Sequence, residues 1–312
     1  MAPVIRPKLP RSIWALGFVS LFMDMSSEMI HSLLPVFLIT VLGASAVTVG
    51  LIEGIGEATA SISKLFSGWL SDRLGKRKAL TVIGYALGAA SKPLFALAAT
   101  PPWILGARFS DRIGKGIRGA PRDAMIGDLV PEKLRGAAYG LRQALDTAGA
   151  VAGPLLALVL MASFANDFRL VFWVAVVPAL VAVAILVFAV REPVRAQPLV
   201  PQRTPIRWSE LGQIGGPFWA VVVVGAVLTL ARFSEAFLIL RAVDLGLPIA
   251  LAPAVLVVMN VAYSASAYPI GVLSDHYDRR LILGMGFVVL ILADLILAFA
   301  SGMWSVAIGI GL

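Results

Sequence analysis

Three ionisable residues interrupt the first long apolar stretch of the chain, which runs from about Ser12 to Leu42. Asp24, Glu28 and His31 stand at i, i+4 and i+7, so on a helix they share a sector of roughly 60°. A carboxylate that is desolvated in one conformation and hydrated or ion-paired in another can bind and release a proton. Asp24 and Glu28 are therefore candidate proton sites, the alternative being static salt bridges to cations of another helix. His31 is a candidate for the same site or a hydrogen-bonded packing residue.

A later stretch, from about Pro101 to Met125, carries an unusual density of charge between apolar residues. On a helix, its ionised side chains fall within a sector of roughly 120°. They are Arg108, Asp111, Arg112, Lys115, Arg118 and Arg122. A cation at the middle of a bilayer costs about 2.5–3.5 kcal/mol, so this face must line water or meet carboxylates. The residues either form ion pairs that hold helices together or attract an anionic substrate and modulate a proton site. We expect Arg118 and Arg122 at the membrane surface.

The next apolar stretch combines small residues with two oppositely charged residues at helical spacing. Its small and kinking residues are Gly140, Gly149, Gly153 and Pro154. Glycines let two helices approach closely and a proline kinks a helix, although both are common in membrane helices. Arg142 and Asp146 lie four residues apart among them, which makes them candidates for a cavity site or for an ion pair.

The composition of the chain is that of a polytopic membrane protein. Hydrophobic residues make up 59% and charged residues 14%, with a mean hydropathy of +0.90. Soluble domains carry about 25% charge. The absence of cysteine excludes disulfides, thiolate metal sites and cysteine nucleophiles. The net charge of +8 does not indicate nucleic acid, because the cations gather in alternate short loops, as the positive-inside rule describes.

Hydropathy and turn residues divide the chain into nine apolar helices and the start of a tenth. We place them at about Ser12–Leu42, Ala46–Leu70, Ala79–Ala99, Pro101–Met125, Gly136–Ala162, Leu170–Val190, Ile214–Leu240, Pro248–Leu273 and Leu281–Ala300, with the tenth from Met303. A polar, proline-containing segment separates the sixth helix from the seventh. The predicted units are a first half at 1–192, a linker at 193–213 and a second half at 214–312.

A short charged loop joins the second and third predicted helices, in the segment GWLSDRLGKRK. Its candidate functional residues are Gly68, Asp72, Arg73, Gly75, Lys76 and Arg77. Gly68 lets a neighbouring helix approach, and Gly75 permits a turn with positive φ. Asp72 stands where a helix ends, where it can pair with a cation or face the positive end of another helix.

This loop resembles the signature of the major facilitator superfamily (MFS) between its second and third helices, G-x-x-x-D-R-x-G-x-R. A weaker copy follows in GVLSDHYDRR, where Gly271, Asp275, Arg279 and Arg280 repeat the pattern at a constant offset of 203 residues. Two copies at one offset indicate two related halves, as in parallel-repeat transporters.

The resemblance implies two six-helix halves, a binding site near the midplane, and rocking between inward- and outward-open states. Asp72 and Arg73 would act as a latch on the cytoplasmic side, together with an eleventh helix. Arg108 matches the arginine of the family's fourth-helix motif, but Asp111 and Arg112 replace its usual glutamine and glycine, which puts close helix packing there in doubt. The glycines of the fifth helix resemble the antiporter motif as far as Gly153 and Pro154, after which Ala157 replaces a glycine.

The distribution of loop cations predicts the orientation. Eighteen cations lie in the N-terminal segment, the Gly68–Lys78 loop, the stretch 115–135, the stretch 191–207 around the linker, and the turn at 279–280, whereas the opposite loops hold only Arg169 and Arg241. These loops and the N-terminus are therefore predicted to be cytoplasmic, in a plasma membrane that we take to be a bacterial inner membrane. No cleavable signal peptide is expected. Against twelve helices, two helices and part of a third would be missing.

The preferred function is proton-coupled export of a small organic solute, an anion or a drug, by a monomer in the lipid bilayer. The alternative is proton-coupled uptake of a nutrient anion, and a non-transporting receptor is less favoured. No HExxH, GxSxG or glycine-rich phosphate loop is present, so we do not expect an enzyme. We expect no cofactor, no metal and no nucleic acid, and the substrate is not specified by the residues.

Overall fold

The chain folds into helices that run back and forth through one bundle. The computed structural model describes residues 9–192, 214–231 and 234–312, which contain helices and no strand. The helices are α1 Arg11–His31, α2 Leu34–Thr40, α3 Ala46–Leu74, α4 Arg77–Leu97, α5 Pro101–Leu129, α6 Glu132–Ser163, α7 Phe168–Ala189, α8 Gly216–Ala231, α9 Glu235–Asp244, α10 Ala252–His276, α11 Arg279–Ala298 and α12 Met303–Gly311. Apart from two internal breaks, their ends lie within four residues of the predicted ones. The predicted linker at 193–213 lies outside the described residues.

Six segments of the described chain are long and apolar enough to cross a membrane, which confirms the expectation of an all-α polytopic membrane protein. They are Arg11–Thr40, Arg77–Leu97, Glu132–Ser163, Phe168–Ala189, Ile249–Ser266 and Leu281–Ala298. Two other long helices, α3 and α5, do not reach this hydropathy because of their polar and ionised residues. Many of those residues face each other across the contact between α3 and α5.

The structure has two helices where the sequence predicted a single helix at Ser12–Leu42. α1 ends at His31 and α2 begins at Leu34. Pro35 stands in the first turn of α2 and has no amide hydrogen to donate to the carbonyl of His31. The break therefore leaves His31 at the end of α1, inside the membrane-spanning segment.

The seventh predicted helix, at Ile214–Leu240, is also two helices. α8 ends at Ala231 and α9 begins at Glu235. The hydroxyl of Ser234 accepts a hydrogen bond from the amide of Ala236 at 3.3 Å, so Ser234 caps α9. A serine that satisfies the backbone in this way favours a new helix start over a continuous helix.

The loop between α3 and α4 has the backbone conformation predicted for its glycine. Gly75 ends α3 with a φ of +67°, and its amide donates to the carbonyl of Ser71 at 3.0 Å. This is the left-handed cap that glycine adopts without the steric cost of a Cβ. We call the end of the bundle where α3 meets α4 the Gly75 side.

Close contacts between helices occur at glycines. A Cβ on Gly114 of α5 would lie 2.7 Å from the carbonyl oxygen of Gly84 in α4, so these backbones nearly touch. A Cβ on Gly153 of α6 would lie 2.6 Å from the carbonyl oxygen of Met25 in α1. α5 thus packs against α4 as well as α3, and α1 packs against α6 and α7. Close packing of α5 is preserved although its family motif departs at Asp111 and Arg112.

The apolar core consists of two clusters that differ in which half contributes to them. The cluster on the side opposite Gly75 contains residues of the first half, such as Phe37 and Phe172, and of the second half, such as Ile239 and Leu256. The cluster nearer the Gly75 side, which includes Leu16, takes all its members from the first half. Among the described residues, apolar packing therefore joins the two halves on the side opposite Gly75.

Two arginines on the side opposite Gly75 cap the C-terminal ends of helices. Arg169 donates to the carbonyls of Ala96 and Ala98 at 2.6 and 2.8 Å, at the end of α4. Arg241 donates to the carbonyl of Ala300 at 2.8 Å, just after α11. The two cations that depart from the predicted loop asymmetry thus satisfy carbonyls that have no partner within their own helices.

Candidate functional site

The charged face of α5 lies inside the bundle. Arg108 and Asp111 are each 2% exposed, and Arg112 is 4% exposed. α3 lies on one side of this face, α4 on another, and the polar residues of α1 contact it through His31 and Asp111. The side chains are thus shielded from lipid by neighbouring helices, as the cost of exposing them to acyl chains requires.

Two ion pairs connect α3 to α5 with matching spacing. Glu53 pairs with Arg108, and one turn further along Glu57 pairs with Arg112 at 3.0 Å. Gly56 provides the room between them, because a Cβ there would lie 3.2 Å from Cγ of Arg108 and 3.3 Å from Cγ of Arg112. The side chains of Glu53 and Glu57 differ in exposure, at 11% and 61%.

A buried lysine links α4 to both α5 and α1. Nζ of Lys92 lies 2.8 Å from Oδ1 of Asp111 and donates to the hydroxyl of Ser27 at 2.9 Å. The hydroxyl of Ser91 also approaches Asp111 Oδ1, at 3.4 Å. Asp111 is therefore neutralised by Lys92, and the pair ties three helices together.

His31 connects the carboxylate of Glu28 with that of Asp111. Its Nδ1 lies 3.5 Å from Oε1 of Glu28, and its Nε2 lies 3.9 Å from Oδ2 of Asp111 without forming a hydrogen bond. The ionisable residues of α1 thus reach the charged face of α5. A static salt bridge and a proton path would both require this contact.

Asp24 faces a second carboxylate. Arg142 pairs with Asp146 in α6 at 2.9 Å, and the carboxyl of Asp24 in α1 lies close to that of Asp146. Two neighbouring carboxylates repel each other when both are ionised, so such a pair is suited to hold one proton. Arg118 and Lys115 of α5 lie within electrostatic range of Asp24.

The two arginines that we expected at the membrane surface are buried between helices. The guanidinium of Arg118 lies over the ring of Tyr85, 4.7 Å from its centroid. Arg122 donates to the hydroxyls of Tyr85 and Ser20 at 3.2 and 3.3 Å, and it pairs with Asp123 at 3.1 Å. Tyr85 offers both an aromatic face and a hydroxyl, which is how α4 accommodates two cations near the Gly75 side.

The signature loop is held together by its own charges and by α5. Arg77 pairs with Asp128 at 2.9 Å and with Asp72 at 3.5 Å, while the side chain of Asp72 is 74% exposed. Arg73 lies over the ring of Trp69, and Lys76 immediately precedes α4. A Cβ on Gly68 would lie 3.3 Å from that of Ala120, a close approach to α5. The side chain of Asp275, in the second copy of the pattern, lies outside the described residues.

The glycines of α6 have different surroundings. Gly149 and Gly153 contact the backbone of α1 and Pro154 is buried, whereas a Cβ on Gly140 would meet no atom within 4 Å. The predicted close approach therefore involves the second and third glycines. Gly149 lies within one turn of Asp146 and Gly153 about two turns from it, so the contact that they permit holds Asp146 near Asp24.

Sequence reasoning left several partners of this site unassigned. Glu53, Glu57 and Lys92 had no definite role, and Tyr85 and Ser27 were not singled out. The signal was present for α3, because Glu53 and Glu57 have the same spacing as Arg108 and Arg112 and the opposite charge. Nothing in the spacing identifies Lys92 as the partner of Asp111.

Several donors of the site lack an acceptor among the described residues. Nη1 is buried without a hydrogen-bond partner in Arg108, Arg112 and Arg118, as is Nε in Arg142. Buried polar groups are nearly always paired with protein or water, so unpaired ones often have a functional reason. No group of three residues suited to a metal ion occurs in the part of the chain that the structure describes.

The curated proteins that are similar to this chain include the following three. An uncharacterized MFS-type transporter of Methanocaldococcus jannaschii is 33% identical over 290 residues, which are 90% of this chain and 71% of that protein. The multidrug resistance protein MdtH of Yersinia enterocolitica is 34% identical over 44% of this chain and 33% of its own length. The gentisate transporter of Corynebacterium glutamicum is 32% identical over 45% of this chain and 32% of its own length.

A solved structure shares the fold. The crystal structure of a bacterial homologue of the human lysosomal transporter Spinster, in an inward-facing and occupied conformation, superimposes with a TM-score of 0.73. It is 19% identical, and the match covers 96% of this chain and 71% of the other. The family model of the Major Facilitator Superfamily matches residues 16–312. With the relative from Methanocaldococcus jannaschii, this match shows that the chain belongs to the major facilitator superfamily.

Proposed function

We propose that the chain is a secondary active transporter that exports a small organic solute in exchange for protons by alternating access. The observation that carries the proposal is the proximity of the carboxyl groups of Asp24 in α1 and Asp146 in α6. On this proposal, a site for one proton lies between these two helices inside the first half. Proton binding there changes the charge of the site by one unit, and such a change can bias a conformational equilibrium.

The surroundings of the pair connect it to the rest of the charged network. Arg142 binds Asp146, while Lys115 and Arg118 approach Asp24 from α5. Glu28 lies one turn beyond Asp24 and contacts His31, which reaches Asp111. A proton on the Asp24–Asp146 pair therefore changes the electrostatic interaction of the pair with the cations of α5. Glu28 is the second candidate for the coupling carboxylate.

The packing of the halves supports access from the Gly75 side. Apolar residues of both halves form one cluster on the opposite side, whereas the described members of the cluster nearer Gly75 all belong to the first half. We propose that rocking opens and closes these two ends in turn, with 1–192 and 214–312 as the moving halves and 193–213 as their linker. Asp72 and Arg73 would then belong to a latch, and Asp275 to its counterpart in the second half.

Export is preferred because the α6 glycines resemble an antiporter motif and because MdtH, a similar protein, is a multidrug resistance protein. We place the N-terminus and the Gly75 side in the cytoplasm of a bacterial inner membrane, following the loop cations. We expect the transporter to act as a monomer in the bilayer.

A second candidate is uptake of an organic anion together with protons. The density of cations on α5 supports an anionic substrate, and a similar protein is a gentisate transporter. The two candidates differ in the direction in which a proton gradient drives the solute.

Everted membrane vesicles with an acidic interior separate the two candidates. With gentisate and the dye ethidium as probes, antiport predicts that the solute accumulates inside, and symport predicts that a preloaded solute leaves. Vesicles with an inactive Asp24→Asn, Asp146→Asn double variant are the control. Flux of either probe that ignores the gradient contradicts proton coupling.

A further inference from the structure

The two ion pairs between α3 and α5 are alike in spacing and unlike in exposure. In the Glu53–Arg108 pair both side chains are buried, at 11% and 3% exposed. In the next pair Arg112 is 4% exposed, but 61% of its partner Glu57 is exposed. One carboxylate is thus locked in place, whereas the other can leave its arginine by rotating its own side chain.

The arginine of the exposed pair has further binding capacity. Glu57 contacts Nη2 of Arg112, while Nη1 and Nε have no hydrogen-bond partner among the described residues. A guanidinium can bind a carboxylate through two parallel N–H groups, which is the strongest geometry for this pair. The contact made by Glu57 uses only one of its nitrogens, so an incoming carboxylate can make a better one.

A second cation stands beside Arg112. Lys115 follows it by three residues on the same face of α5, is exposed, and forms no salt bridge among the described residues. Glu57, Asp24 and Glu28 lie within electrostatic range of its ammonium group. An exposed lysine next to a replaceable carboxylate provides the charge that first attracts an anion.

We propose that Arg112 and Lys115 bind the carboxylate of a small organic acid and that Glu57 occupies Arg112 while the site is empty. The site deepens the function proposed above and rests on it, because it names the chemical class of the solute. Exchange of one carboxylate for another leaves the charge around buried Arg112 unchanged. The buried guanidinium of Arg112 is therefore paired with a carboxylate whether or not the ligand is bound, and the free-energy cost of an unpaired buried cation does not arise.

The neighbouring pair does not offer the same exchange. Removing Glu53 from Arg108 would require a buried carboxylate to move within packed helices, and Gly56 holds both arginines close to α3. The structure therefore contains its own control, since Glu53 and Glu57 have the same chemistry, helix and type of partner. Only Glu57 is expected to compete with a ligand.

The test measures binding of radiolabelled benzoate to the purified chain in lipid nanodiscs, with neutral benzamide as the control ligand. Glu57→Gln is expected to tighten benzoate binding about tenfold, the gain that follows if Glu57 occupies Arg112 about nine-tenths of the time. Glu53→Gln is expected to give no tightening. Lys115→Gln is expected to weaken binding about tenfold while leaving the fold intact, because its side chain is exposed.

Three results would overturn the proposal. One is equal tightening by Glu53→Gln and Glu57→Gln, another is no change in Glu57→Gln, and the third is no saturable binding of benzoate or succinate to Glu57→Gln. Loss of monodispersity on size exclusion identifies a variant that has lost its fold. If a glutamate variant fails in this way, the effect of Lys115→Gln on benzoate binding still tests the proposal. Benzoate binding without gradient-driven solute flux would support this site and contradict the proposed transport cycle. Gradient-driven solute flux without carboxylate binding would support the transport cycle and contradict this site.

Discussion

The ammonium group of Lys92 lies 2.8 Å from Oδ1 of Asp111, and Lys92 is completely buried. Removing one member of a buried ion pair costs about 3–5 kcal/mol, because the other charge is left without a partner. We therefore expect Lys92→Met to lower the thermal stability of the purified chain strongly. The double variant Lys92→Met, Asp111→Leu should recover most of it.

Thermal unfolding in detergent, followed by fluorescence and size exclusion, measures this effect. Lys133→Met is the control, since Lys133 is exposed and its replacement should change stability by less than about 0.5 kcal/mol. A double variant no more stable than Lys92→Met alone would mean that the pair is not the reason for the loss.

The buried pairs also show which parts of the fold and of the site could be predicted from the sequence. Hydropathy located the spans, and the helical spacing of Arg108, Asp111 and Arg112 located the charged face. Partners were harder to predict, because Glu53 is distant from Arg108 in the sequence and only the fold brings α3 to α5. The burial of Arg118 was not predicted for the same reason, since nothing in the sequence indicated that Tyr85 would cover it.

The helix breaks were missed for a related reason. The stretch Ser12–Leu42 is apolar throughout most of its length, so hydropathy does not distinguish one helix from two. Pro35 was available as a signal, but prolines are tolerated in membrane helices when neighbours satisfy the backbone. Only the packed structure shows that α1 ends at His31.

Asp24 and Asp146 are expected to be needed for coupling rather than for solute binding. Asp24→Asn removes one of the two groups that share a proton, so transport driven by a proton gradient should be lost. Exchange of labelled for unlabelled solute without a gradient should continue, because it requires no net proton movement. Both activities are measured in proteoliposomes with the solute identified by the vesicle assay.

Glu132→Gln is the control for this pair, since Glu132 is an exposed carboxylate at the start of the same helix as Asp146. Glu28→Gln tests the second candidate in the same two assays. Gradient-driven transport that survives in Asp24→Asn and fails in Glu28→Gln would move the proton site to Glu28, and survival in both would exclude α1 from coupling.

Asp72 is expected to affect the transport cycle more than the fold. Its side chain is 74% exposed and its contact with Arg77 measures 3.5 Å, so the pair stabilises the chain by at most about 1 kcal/mol. Asp72→Asn should therefore reach the membrane at normal levels and show slower transport. Immunoblots of membrane fractions and initial transport rates separate the two effects. Loss of membrane expression would show that Asp72 is structural.

The glycines of α6 allow a matched test of the contact between α1 and α6. A Cβ on Gly153 would lie 2.6 Å from the carbonyl oxygen of Met25, whereas one on Gly140 would meet no atom within 4 Å. Gly153→Ala should destabilise the chain by about 1–3 kcal/mol, because α1 and α6 must move apart. Gly140→Ala should be neutral or slightly stabilising, since alanine is the better helix former.

Because Gly153 holds Asp146 near Asp24, only Gly153→Ala should also reduce gradient-driven transport. Equal stability of the two variants in thermal unfolding would contradict the close contact, and normal coupling in Gly153→Ala would separate it from the proton site.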